Sequence, residues 1–343
     1  MKQAVMLVNL GSPSSPSEED VRNYLDEFLH DPNVIDLPWW LRRFIVDGIV
    51  LRTRPPRTAA LYASIWTNEG SPLIVSGRAL RQSIADILDV PVALAMRYGD
   101  PSISEALGSL VAAHPNLEHV ILVPLYPQSA MATTKTVIDS FATAQQQIAP
   151  TLRTSVIKPW YDEPRAMSLL ASRLSSMVDA ETDAVILSYH GIPKRHLHKM
   201  DPTGHHCKAD SECCTTASLA HATCYLHQCK VMTDGIAVLL PIQRDRVHMT
   251  FQSRFGFDRW LTPSTDDVVV KLAREGAKRV VLMAPAFVAD CLETLEELCI
   301  GTREKFLHHG GVHFDYVSCL NADSRWVQIL ASLISCEMDT CRS

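Results

Sequence analysis

The residues best suited to acid–base chemistry are in the run Ser188-Tyr189-His190-Gly191-Ile192-Pro193. An imidazole can take up and release a proton near neutral pH, which few other side chains do. Further along, Asp290-Cys291-Leu292-Glu293-Thr294-Leu295-Glu296-Glu297 sets Asp290, Glu293 and Glu297 at spacings of three and four, one acidic face of a helix. Carboxylates that close repel one another, so burial would leave some of them protonated near neutral pH. An imidazole facing a few carboxylates can take protons from a substrate and hold a divalent metal weakly, without the fixed ligand set of a permanent zinc site. Each half also has a plainer reading. A histidine after a strand can be structural, and an acidic first turn complements a helix dipole. The chemistry depends on the fold bringing the two together.

The surrounding elements predict that it does. Ala184-Val185-Ile186-Leu187 is an apolar, β-branched run that reads as a buried parallel strand, so His190 stands where that strand ends. In an open α/β sheet ligands bind at that edge. Upstream, Ala4-Val5-Met6-Leu7-Val8 reads as a first strand, and Ser17 caps a helix with an acidic first turn, Glu18-Glu19-Asp20. Strands follow at 92–96, 120–123 and 154–157, separated by helical stretches, and after residue 160 the alternation resumes with strands at 184–188, 247–251, 280–284 and 312–317. The halves echo each other. Gly11-Ser12-Pro13 is matched by Gly191-Ile192-Pro193, and Arg97-Tyr98-Gly99 by Arg254-Phe255-Gly256. The expected fold class is therefore α/β, with two similar doubly wound domains, each on a parallel sheet. His190 follows the first strand of the second domain and the acidic run follows its third, which sets both at one sheet edge, across a cleft.

Composition narrows the classes. The chain has 343 residues, 47% of them hydrophobic, enough for two α/β domains with sizeable cores. A formal charge of −6 without any Lys/Arg block excludes a nucleic-acid footprint. The apolar run after Met1-Lys2-Gln3 is too short for a signal peptide, and no stretch is long enough to span a bilayer. A soluble protein, or one resting on a membrane surface, is expected. Trp39-Trp40-Leu41-Arg42-Arg43-Phe44 reads either as an amphipathic helix packed on its own domain or as an exposed apolar lip for a greasy ligand or a membrane. The loop carrying Arg52, Arg54 and Arg57, followed by Tyr62 and Gly70-Ser71-Pro72, could receive carboxylates. Of ten cysteines, Cys207, Cys213, Cys214, Cys224 and Cys229 fall in one stretch without clear strand or helix signals. In a chain without a secretory signal they are not read as a disulfide framework.

Along nearly its whole length the chain resembles the ferrochelatases, which insert ferrous iron into a porphyrin in the last step of haem synthesis. The resemblance rests on the ordered series Leu7-Val8-Asn9-Leu10-Gly11-Ser12-Pro13, Gly70-Ser71-Pro72-Leu73, Met96-Arg97-Tyr98-Gly99, Leu125-Tyr126-Pro127-Gln128, Leu187 to Pro193, Thr250 to Gly256, Trp260-Leu261-Thr262-Pro263 and Ala289 to Glu297. It implies two Rossmann-like, chelatase-type domains, 1–158 and 159–312, with a porphyrin cleft between them lipped by the Trp39-Trp40 region, and a C-terminal strand and helix, 313–343, returning toward the first domain. By the same resemblance the substrates are Fe²⁺ and protoporphyrin, His190 is the catalytic base or iron donor, Glu293 is its acidic counterpart, and Asp290 and Glu297 continue an acidic path. Arg54, Arg57, Ser71 and Ser253 match positions that meet propionates; Tyr62, Arg97, Tyr98, Tyr126 and Trp260 match other porphyrin-binding positions. A packing role stays open for each. Coproporphyrin as acceptor, and a non-catalytic tetrapyrrole or iron carrier, stay open as alternatives. The implied setting is the cytoplasm, with or without contact to the inner face of the membrane, as monomer or homodimer.

Four departures stand out. Gln128-Ser129-Ala130-Met131-Ala132-Thr133-Thr134 differs from the usual continuation of its motif. Cys291 stands where some relatives have a histidine, and Cys299 where glycine is frequent. The largest departure is the insert 200–232. Some ferrochelatases carry a [2Fe–2S] cluster on C-terminal cysteines and others on an internal segment. Here five residues separate Cys207 from Cys213, nine separate Cys214 from Cys224 and four separate Cys224 from Cys229, without the paired C-x-x-C knuckles of a zinc ribbon. Four thiolates suit a [2Fe–2S] cluster. Cys207, Cys214, Cys224 and Cys229 are the expected set, with Cys213 as rival to Cys214. His205, His206, His221 and His227 keep zinc open, and Cys336 with Cys341 are too few for a cluster.

Overall fold

A computed structural model describes residues 2–210, 212–254 and 258–340. It divides into two compact units, one of Met1–Tyr126, Met131–Lys158 and Asn321–Ser343, the other of Pro127–Ala130 and Pro159–Leu320. Cys341 and Phe255-Gly256 lie outside the described residues.

The first unit is built on four parallel strands, β1 (Gln3–Gly11), β2 (Val92–Tyr98), β3 (His119–Pro124) and β4 (Arg153–Val156), in the order β2-β1-β3-β4. Val5, Met6, Leu7 and Val8 are all fully buried, as expected of a parallel strand covered on both faces. Side chains alternate across the sheet, so Ala4, Met6 and Val8 face one layer, with Leu107, Leu110, Val137 and Phe141 from helices Ile103–Ala113 and Thr136–Ile148. Helices Pro72–Leu88 and Ser324–Thr340 pack on each other, the former on β1 and β2 and the latter on β3.

The second unit repeats the plan with β5 (Ala184–His190), β6 (Val247–Gln252), β7 (Arg279–Met283) and β8 (His313–Val317), again all parallel, in the order β6-β5-β7-β8. Ala184 and Ile186 join Val280, Leu282, Val269 and Phe306 in its core. Both sheets thus have the doubly wound topology expected from the sequence, with strand ends shifted by at most three residues. Of the segment 313–343, the strand stays in the second sheet, beside β7, and only helix Ser324–Thr340 belongs to the first unit.

The paired Gly-x-Pro motifs have one physical cause. A Cβ on Gly11 would lie 1.8 Å from the Tyr98 carbonyl oxygen of β2, and one on Gly191 would lie 2.6 Å from the Gln252 carbonyl oxygen of β6. In each unit the central strand ends pressed against its neighbour's backbone, which only glycine permits.

Two local features refine the sequence reading. Helix Trp39–Ile45 turns Trp39, Trp40 and Phe44 outward, at 68%, 60% and 68% exposed, while Leu41, Arg42 and Ile45 on its other side are half-buried. The cysteine stretch contains a regular helix, Tyr225–Ala237, which carries Cys229. Its inward face includes Gln228, Cys229 and Thr233 among Tyr225, Met232 and Ile236, and these polar members hide the apolar period that would have revealed it.

Candidate active site

In the second sheet β5 has β6 on one side and β7 on the other, so the chain reverses its direction of growth between β5 and β7, the switch point where α/β sheets open a crevice. His190 ends β5, and the acidic run begins after β7. The β5–β7 ladder stops at Leu187 opposite Met283, while the β5–β6 ladder continues to His190 opposite Gln252.

His190 is half-buried, with its ring 6.3 Å from that of Phe287. Its Nδ1 lies 2.7 Å from the carbonyl oxygen of Gly191. A carbonyl can only accept, so Nδ1 is assigned the proton and Nε2 of the neutral ring carries the lone pair. The turn that bears the ring is fixed from several sides. Gly191 N–H donates to Gln252 O (2.8 Å), Leu261 N–H to Ile192 O (3.1 Å), and the Tyr225 hydroxyl to the His190 carbonyl (2.9 Å).

The acidic residues separate into two kinds. Glu293 and Glu297 lie on Glu293–Thr302, a π-helix, whose hydrogen bonds run from i to i+5 and bring residues four apart close to one line. Asp290 precedes this helix and is buried. Its Oδ1 accepts from Tyr316 Oη (2.9 Å), Cys319 N (3.1 Å) and Thr294 Oγ1 (3.3 Å), which secures the start of the helix. The single three-residue face expected from α-helical spacing is thereby replaced by a pair, Glu293 and Glu297.

Glu297 accepts from Ser253 N (2.8 Å) and from the Ser253 hydroxyl. Burial raises its pKa above the ordinary value; the Ser253 bonds and the His190 charge hold it back, and Glu293 adds repulsion. Glu297 and His190 are thus electrostatic neighbours. Cys291 is buried, its pKa pushed well up by burial and by the Glu293 carboxylate, with which its thiol hydrogen-bonds. Gln252 ties the parts together. Its Oε1 accepts from Ser188 Oγ (2.8 Å) and its Nε2 donates to the Glu293 carbonyl (3.1 Å). Neither Gln252 nor Tyr225 was singled out from sequence. For Gln252 the available signal was a polar residue at the strand end, directly after the apolar Phe251.

The other expected positions have varied surroundings. Ser253 is committed to Glu297. Trp260 Nε1 and Tyr126 Oη are buried without hydrogen-bond partners among the described residues. In the first unit Arg54 and Arg57 are exposed, Ser71 is buried at the start of helix Pro72–Leu88, and Tyr62 is buried edge-on to Tyr24. Tyr98 is fully buried, with its hydroxyl donating to Asp31 (2.9 Å). Arg97 lies over the Tyr98 ring at 4.4 Å and donates to Asp31 and Thr136. The Tyr98 side chain is thus held between Asp31 and Arg97 within the first unit.

In the insert, Cys207, Cys213, Cys214 and Cys224 line one small pocket together with His206 and His221. Cys229 is not part of that lining; it is fully buried on helix Tyr225–Ala237. Cys214 and Cys224 share a hydrogen bond that favours the thiolate on Cys224 and pushes the Cys214 thiol up, while burial pushes Cys207 up to about 11. His206 Nε2 and His221 Nε2 lie 2.9 and 3.3 Å from the Cys213 carbonyl, and His227 Nδ1 lies 3.1 Å from that of Cys214. These nitrogens are engaged by the backbone that carries the thiols.

Comparison with known proteins agrees with this layout. The family model described as ferrochelatase matches residues 2–338. The chain is 45% identical over 336 residues to the ferrochelatase of Stutzerimonas stutzeri (strain A1501), covering 97% of this chain and 98% of that one. It is 45% identical over 332 residues to that of Pseudomonas fluorescens (strain Pf0-1), covering 96% of each. Among solved structures, SirB from Bacillus subtilis with Fe³⁺ is similar in fold, with a TM-score of 0.55 at 12% identity over 98% of this chain and 95% of that chain. With a family match from end to end and the sheet edge that carries His190, Glu293 and Glu297, the chain belongs to the ferrochelatase family.

Proposed function

We propose that the protein inserts Fe²⁺ into protoporphyrin to give protohaem, with His190 Nε2 as first proton acceptor and Glu297 and Glu293 as the acidic groups that carry protons onward. The observation that supports this most is the hydrogen bond from His190 Nδ1 to the Gly191 carbonyl, which leaves Nε2 free to act as a base. Metallation breaks two pyrrole N–H bonds. Each electron pair stays on nitrogen and becomes a bond to iron, two protons leave, and no oxidation state changes. Glu297, whose pKa burial raises above the ordinary carboxylate value, suits a group that both accepts and releases a proton. The buried Trp260 Nε1, without a hydrogen-bond partner among the described residues, suits a wall that meets a polar or π-rich ligand.

His190→Ala tests this reading. Metallation should fall by roughly two to four orders of magnitude, the range for loss of a general base, while porphyrin binding, followed by fluorescence, is spared. Unchanged turnover refutes the role. An intact wild-type protein that binds porphyrin without metallating it supports the carrier alternative instead. Parallel rates with protoporphyrin and coproporphyrin identify the acceptor.

The four-thiol pocket fits a [2Fe–2S] cluster, with Cys207, Cys213, Cys214 and Cys224 as the residues that would hold it. A bound cluster would supply a one-electron redox centre and cross-link the insert; it is not needed in the proton balance above. The exposed Trp39, Trp40 and Phe44 suit an apolar lip that also touches a membrane. Sedimentation with anionic phospholipid vesicles should retain the wild type and release Trp39→Ser/Trp40→Ser/Phe44→Ser; equal sedimentation of both removes the lip from membrane contact.

A further inference from the structure

We propose that Tyr225 is a positioning residue for the reaction: its hydroxyl, bonded to the His190 carbonyl, holds the His190-Gly191 turn so that the imidazole keeps Nε2 directed to substrate. The inference rests on His190 being the base. The Tyr225 hydroxyl is 2.9 Å from the His190 carbonyl oxygen, and as a carbonyl only accepts, the phenol proton is committed to that bond. The position matters because the sheet does not hold this turn from both sides. β7 stops pairing three residues earlier, at Leu187, and only β6 accompanies β5 to His190. Tyr225 supplies a bond to the histidine's own carbonyl from outside the sheet. The next carbonyl along, that of Gly191, faces the imidazole Nδ1, so a shift of this turn moves the ring with it.

The phenol is itself rigidly held. Tyr225 is 5% exposed. It opens helix Tyr225–Ala237, directly after Cys224, the N-cap residue that also lines the thiol pocket. Gln228, one turn on and fully buried, takes Ser129 N–H on its Oε1 (2.6 Å) and donates to the carbonyls of His221 (3.1 Å) and Ala222 (2.9 Å). The helix start that carries Tyr225 is thus locked to the insert on one side and to the Pro127–Ala130 segment on the other.

The test is Tyr225→Phe in the full-length protein, which keeps the ring and removes one hydroxyl. The expected result is a fall in kcat by roughly ten- to a hundredfold, the cost of a misplaced catalytic group, with porphyrin KM, melting temperature and metal content of the thiol pocket unchanged. In ¹⁵N-histidine NMR, the His190 signal, assigned by its loss in His190→Ala, should move away from a fixed Nδ1–H tautomer. Unchanged kcat with an unchanged His190 signal overturns the proposal, as does a fall in kcat matched by an equal loss of pocket metal. If Tyr225→Phe does not fold, 3-fluorotyrosine at position 225 keeps the bond but strengthens the donor; the His190 signal should then shift, and its constancy overturns the proposal. Full activity of His190→Ala would instead overturn the reading of the base itself.

Discussion

Ser253 presents both its backbone N–H and its hydroxyl to the carboxylate of Glu297, so one residue satisfies both oxygens of one acid. Its φ of +62° is unusual for a serine and aims both donors the same way. A serine expected from family resemblance to meet a propionate is here bound to the group proposed to carry protons.

Ser253→Ala therefore acts on a pKa. Burial raises that of Glu297 and the Ser253 bonds lower it. Removing the hydroxyl takes away one lowering contact, and the pKa climbs further. With the carboxylate as the accepting form, the acid limb of the metallation pH–rate profile moves to higher pH. An unmoved limb removes Glu297 from the proton path.

Asp31 governs stability in the first unit. Burial works against its charge, but bonds from Thr136, Asn33 N–H and Tyr98 and the charge of Arg97 outweigh it and hold its pKa below the ordinary 3.8. Asp31→Asn removes the close counter-charge of the Arg97 guanidinium and leaves it only Glu27, at 3.9 Å, so a loss of about 3 kcal/mol, the low end for a broken buried pair, is expected. Denaturant unfolding with tryptophan fluorescence measures it. In the wild type this contribution is complete above 3.8 and disappears as pH falls through the lower folded value; a loss centred near neutrality contradicts the assignment.

The pocket makes a sharp division among five cysteines. Protein kept from oxygen should be coloured, with iron and sulfide in equal amounts. Cys213→Ser should lose both, whereas Cys229→Ser should keep them, because Cys229 is buried on helix Tyr225–Ala237 outside the pocket lining. Loss in Cys229→Ser with retention in Cys213→Ser reverses the ligand set, and stoichiometric zinc in colourless protein excludes the cluster.

The framework of the site was legible because it depends on long apolar runs. β1, β5 and β7 are nearly continuous buried segments, and the recurring Gly-x-Pro revealed that one plan was used twice. Once β5 and β7 were neighbours, His190 and Glu293 had to share an edge. What sequence could not supply were choices made by single hydrogen bonds. Asp290, Glu293 and Glu297 have the same acidic character, and only the bonds from Tyr316 and Cys319 set Asp290 apart. The insert gave the least, since its helix turns Gln228, Cys229 and Thr233 inward and follows no simple apolar period.

Helix Ser324–Thr340 gives the chain a particular order of assembly. It completes the first unit, where Gln3 Nε2 donates to the Met338 carbonyl across almost the whole sequence. The whole second unit is encoded between β1 and this helix. The layer beside helix Pro72–Leu88 therefore stays uncovered until the second unit has been made.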